Sequence, residues 1–250
     1  MTWIADGLIV MAGVAIGATS IGGVLVVPVL SGVAGVPLAD AVAASSLAFL
    51  PAGLLGWCVS RGDGGCDRNA SVSGNGRHTP WALHVAALPG AVCGALLLPA
   101  VSVVGAEFGL AAVAAGSGLY GLVSLAAAQG ERPLPGAATL TLLGFMVGAG
   151  SALSGTGGPV LLLPLLLLMR IATGPSLAAA LAVQLPIALA ASAAHWLAGN
   201  LPVGLGLYTG ALVTAGALVG RFLARQMPAR TMRASAALCL LAVAGWYAIR

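Results

Sequence analysis

The chain has 250 residues, of which 60% are apolar and only 6% charged. A soluble domain carries about 25% charged residues, so this chain cannot cover itself with polar surface and must be solvated largely by lipid. Its net charge is +4 and its basic residues are all arginine; these stand between apolar runs, which suits loops beside a membrane and excludes a nucleic-acid face.

Eight apolar segments follow in chain order, near residues 7–36, 39–60, 80–102, 108–128, 137–169, 175–198, 203–224 and 234–249. They are long, uncharged and not alternating, which predicts membrane-spanning helices and excludes a β-barrel. Abundant Gly and Ala let such helices approach closely in lipid. The N-terminal run lacks a basic leader and is too long for a cleaved signal, so it is expected to stay. Cys58, Cys66, Cys93 and Cys239 show no CxxC spacing. Neither a metal site nor a cofactor is expected from them.

The first segment carries Gly17-Ala-Thr-Ser-Ile-Gly-Gly-Val-Leu-Val-Val-Pro28. The second is followed by the one long polar loop, 61–79, which holds Arg61, Arg68 and Arg77. The fifth carries Gly150-Ser-Ala-Leu-Ser-Gly-Thr-Gly-Gly-Pro-Val-Leu-Leu-Leu-Pro164. Segments one and five each span about 30 residues, or about 45 Å as one helix against a hydrocarbon core near 30 Å. Their Gly-Gly breaks predict two short helices apiece, folded as a hairpin or re-entrant pair. Matched broken segments in two halves of a membrane protein point to a transporter's substrate site.

The halves read as an internal repeat, residues 1–130 and 131–250 within a single membrane domain. The expected fold is an all-α integral membrane protein of two inverted repeats, each with one broken or re-entrant helix pair and three transmembrane helices. Arginine placement favours inversion. If segments one and five make no net crossing, every arginine except Arg250 falls on the cytoplasmic face. Both termini are then extracytoplasmic.

Those residues resemble the sulfite exporter TauE/SafE family of membrane transporters. The resemblance rests on Ile21-Gly-Gly-Val-Leu-Val-Val-Pro28, Gly35-Val-Pro37 and Val42-Ala-Ala-Ser-Ser46, on Thr156-Gly-Gly-Pro-Val-Leu-Leu-Leu-Pro164 and Gly174-Pro175, and on the stretch from Gly216 to Pro228. Val24 stands where a third glycine is common in that family, and Val183-Gln184 where Thr/Ser-Ser is usual. The resemblance implies movement of small, often sulfur-containing anions across a bacterial cell membrane. With no GxxxxGK[ST] in the chain, transport is expected to be secondary, coupled to protons or sodium, or a passive channel. Oligomerisation is compatible with such a chain.

An anion at the membrane midplane needs compensating donors, and the apolar segments hold no lysine. Backbone N–H groups after Gly22-Gly23 and Gly157-Gly158 can supply them, at helix starts where the dipole is positive. Pro159 suits a first helical position. Thr19, Ser20, Ser154 and Thr156 add hydroxyls. Ser45, Ser46 and Gln184 fall at equivalent places in the following helices and complete the cage. The same small residues would also serve packing alone. His195, near the end of segment six, is a candidate proton carrier; packing beside Trp196 is the plainer role. Asp40 reads as a helix-start residue. An intramembrane serine protease built on Ser154 and His195 is the alternative outside transport.

Overall fold

The computed structural model describes residues 3–19, 22–62, 79–102, 134–171 and 173–224, with scattered positions between 104 and 123 and beyond 225. Among the described residues the elements are all helical. Helix α1 spans Trp3–Thr19. The composite helix α2 is wound as 310 over Gly22–Leu25, α over Val26–Pro28 and π over Val29–Val33. Then come α3 (Leu38–Gly62), α4 (Thr79–Leu97), α5 (Ala137–Ser154), α6 (Gly158–Leu168), α7 (Thr173–Leu197) and α8 (Val203–Ala224). Stretches of α3, α5, α7 and α8, and one running from α4 to Ala100, are long and apolar enough to cross a membrane. The expected segments at 108–128 and 234–249 lie mostly outside the described residues.

Segment five is divided, as its glycines predict; in segment one α1 closes at Thr19 and α2 opens at Gly22, with residues 20–21 between them outside the described ones. α5 ends at Ser154, where Gly155 takes a left-handed conformation (φ 62°) and donates its N–H to the Ser151 carbonyl at 2.8 Å. Gly157 is left-handed too (φ 79°), so two residues in three need the freedom only glycine has. α6 then begins at Gly158. Pro159 therefore takes the second helical position rather than the first, still within the turn whose N–H groups lack intrahelical acceptors. Leu161 of α6 packs on Gly150 of α5, so the chain folds back on itself around the turn. Asp40 lies in the first turn of α3.

α2 and α6 also end alike. Gly35 (φ 69°) follows α2, and Val36 N–H reaches back to the Leu30 carbonyl at 3.0 Å. Arg170 (φ 59°) follows α6, and Ile171 N–H reaches the Leu166 carbonyl at 3.1 Å.

The series α1–α4 and α5–α8 run in the same order, but their outer helices trade places. α1 packs along α8, and α5 along α4. Glycine makes both contacts. Gly13 and Gly17 press on the Val213 and Ala217 carbonyls, and Gly216 and Gly220 on those of Val10 and Val14. Likewise Gly90 and Gly94 meet the Phe145 and Ala149 carbonyls, while Gly144 and Gly148 meet those of Leu83 and Ala87. Residue numbers rise together in both pairs, so each pair runs parallel. Small residues four apart allow this backbone approach. α3 lies beside α8 through Gly206 on Leu47 and Gly210 on Ala48, and crosses α7 where Gly53 meets Leu185.

Candidate anion-binding site

The two glycine breaks meet. Gly23 lies against the Thr156 carbonyl and the Phe49 ring, and Gly155 is enclosed by Ser45, Val27 and Val42. Beside this contact is a narrow cavity between α3, the end of α5 with its turn, and α7. Ser46, Ser151, Gly155, Gly157 and Gln184 form its polar lining, with Phe49, Ile187, Ala188 and Ala191 among its apolar walls. It has room for about one water molecule. No side chain in the lining is charged.

Of the residues singled out from sequence, Ser46, Gly157 and Gln184 reach the cavity. Ser46 Oγ lies 3.1 Å from the Val42 carbonyl. Gly158 is buried just behind, facing the side chains of Val183 and Ile187. Gly22 opens α2 and Thr19 closes α1; Ser20 and the Thr19 side chain lie outside the described residues.

Counting protons sorts the remaining hydroxyls. Ser154 Oγ donates to the Gly150 carbonyl at 2.7 Å. The 2.8 Å contact between Ser154 and Thr156 must then run from Thr156 Oγ1 to Ser154 Oγ. Ser45 Oγ has two carbonyl acceptors, Val42 at 2.8 Å and Gly155 at 3.0 Å. These three hydroxyls brace the turn from both sides, with their protons used inside the protein.

Ser151 and Phe49 are among the lining residues that sequence reasoning passed over. Ser151 is 2% exposed and its hydroxyl has no hydrogen-bond partner. Its signal was available, because it precedes Ser154 by one helical turn on the same broken segment. Phe49 likewise follows Ser46 by one turn of α3.

His195 is 3% exposed and its Nε2 has no partner. It follows Ala191 by one turn and Gln184 by eleven residues, so all three share one face of α7. Ser154 Oγ is engaged by Gly150 and Thr156. The serine–histidine dyad needed for a protease is therefore not formed.

The family model described as Sulfite exporter TauE/SafE matches residues 75–247. The chain belongs to this family. Membership makes it a membrane transporter of the sulfite-exporter kind. The TauE/SafE match takes in the turn at Gly155–Gly158, Gln184 and His195, and begins after Gly23, Ser45 and Ser46. No curated protein and no solved structure matches the chain.

Proposed function

We propose that this TauE/SafE chain is a secondary transporter of small sulfur oxyanions, sulfite or a sulfonate, held between the two glycine turns near the bilayer midplane. The observation that carries the reading is the meeting of those turns beside a cavity lined by uncharged donors. Neutral donors each contribute about 1.5–3 kcal/mol toward a charged guest, so several together can hold an anion without a fixed cation. Ser151, with its unused proton, and Gln184 supply side-chain donors. The start of α6 at Gly157 and Gly158 supplies backbone N–H groups and the positive end of a helix dipole. Ser46 completes the wall from the first half, and Gly23 packs behind it against Thr156 and Phe49. Ser45, Ser154 and Thr156 hold the turn in register, and Thr19, Ser20 and Gly22 are the candidates for its counterpart in the first half.

Inverted halves are supported by the helix directions. α3 runs parallel to α8, and α8 returns from α7 through the short link 198–202, so α3 and α7 oppose each other although each is the third helix of its half. The same directions agree with arginines on the cytoplasmic side and extracytoplasmic termini. His195, on the cavity face of α7, is the candidate for carrying a coupled proton.

Counterflow in proteoliposomes tests the reading, with sulfite, thiosulfate, sulfonates and short carboxylates as the panel. Exchange of sulfur oxyanions is expected, together with its loss in Gly158→Leu, whose side chain would push against Val183 and Ile187. Folded Gly158→Leu protein with undiminished flux, or exchange of carboxylates only, overturns it. Flux indifferent to proton and sodium gradients replaces the carrier with a passive channel.

A further inference from the structure

The buried apolar side chains do not gather by sequence half. One cluster joins α1, α2 and α3 with Val213 of α8; among the described buried residues only Leu98, Val160 and Ala188 enter it from elsewhere, and half-buried Leu153 and Ala115 pack against it. The other joins α4, α5, α6 and α7 with Ile171, and holds nothing from α1, α2, α3 or α8. The close backbone contacts that run along paired helices follow the same grouping. At Gly13, Gly17, Gly216 and Gly220 on one side, and at Gly90, Gly94, Gly144 and Gly148 on the other, a Cβ would collide with a facing carbonyl. Helices seated this closely cannot slide past one another without clashes along their whole length.

Contacts between the groups are fewer and gather at the turns, where Gly23 presses on the Thr156 carbonyl and Gly155 sits against Ser45, Val27 and Val42, and along the α3–α7 crossing. Gly53 meets Leu185 at 3.5 Å, an ordinary van der Waals distance. A neutral hydrogen bond from Ser45 to the Gly155 carbonyl also crosses at the turns. The cavity lies on this boundary and holds about one water. An oxyanion of four heavy atoms is larger than that, so binding must part the α3–α7 crossing.

We infer that the bodies that move against each other in transport are α1, α2, α3 with α8, and α5, α6, α7 with α4. Each half lends its fourth helix to the other, so the moving units are not the sequence repeats. The inference rests on the transport reading above. The link 198–202 passes from one body to the other, and Gly199 within it is left-handed (φ 72°) with open space around it. It supplies a short hinge at the end of α7.

Spin-label distances separate the two partitions. Met11, Leu96, Leu142 and Phe222 are exposed positions on α1, α4, α5 and α8. They are paired as cysteines in a chain freed of Cys58, Cys66, Cys93 and Cys239, and each labelled pair is first shown to retain sulfite flux. On adding sulfite, the Met11–Leu96 and Leu142–Phe222 distances are expected to shift. The Met11–Phe222 and Leu96–Leu142 distances are expected to stay. The reverse pattern assigns motion to the sequence halves and overturns the partition, as does flux with no distance change. Absence of flux in the unlabelled parent defeats the transport reading itself, and the motion with it.

Discussion

Ser45 ties α3 to the left-handed turn at Gly155 through one hydroxyl. Ser45→Ala leaves a buried carbonyl short of its donor, at a cost of about 1 kcal/mol; a lower thermal midpoint in detergent is the expected readout. Ser151 behaves differently because its hydroxyl has no partner to lose. Ser151→Ala is expected to leave the thermal midpoint in place while weakening sulfite binding roughly tenfold, about 1.4 kcal/mol. An unchanged dissociation constant by calorimetry removes Ser151 from the site. Arg170 stands in a left-handed position where the first half has Gly35. Arg170→Gly relieves a strain of about 1 kcal/mol, and the midpoint is expected to rise.

At the scale of elements, the glycines divide by what faces them. Gly7 in α1 has nothing within 4 Å, whereas Gly17, ten residues on, meets the backbone of Ala217. Gly7→Ala is expected to stabilise α1 by about 0.5–1 kcal/mol through helix propensity. Gly17→Ala is expected to cost about 1–3 kcal/mol as α1 is pushed off α8. Equal midpoints for the two variants would break the link between these glycines and the parallel helix pairs. Both residues look alike in the sequence, since each is a glycine in an apolar run. Only the neighbour distinguishes them, and the neighbour comes from the far end of the chain.

For the whole molecule, the directions of α3, α7 and α8 and the placement of arginine support the topology proposed above. Asn200 lies in the link between α7 and α8, and Gln226 beyond the last turn of α8. In a cysteine-free background, Asn200→Cys is expected to react with a membrane-impermeant maleimide on intact cells. Gln226→Cys is expected to react only after permeabilisation. Labelling of both from outside would overturn the inverted arrangement. The proposed topology was open to the sequence alone, because arginine resists crossing lipid wherever the helices pack.

The sequence by itself determined that the chain is helical and lipid-solvated, and that its fifth segment breaks about Gly157-Gly158; the structure puts the left-handed residues at Gly155 and Gly157. Those outcomes follow from transfer free energy and from backbone freedom, which act residue by residue. It also matched Ser46 with Gln184, which the fold brings to one cavity. Tertiary structure alone decided that α4 and α8 cross over to the opposite halves, and that Ser151 keeps an unused proton while Ser45, Ser154 and Thr156 use theirs. A hydroxyl has one proton and a helix face one closest neighbour, and both are assigned by residues distant in the chain.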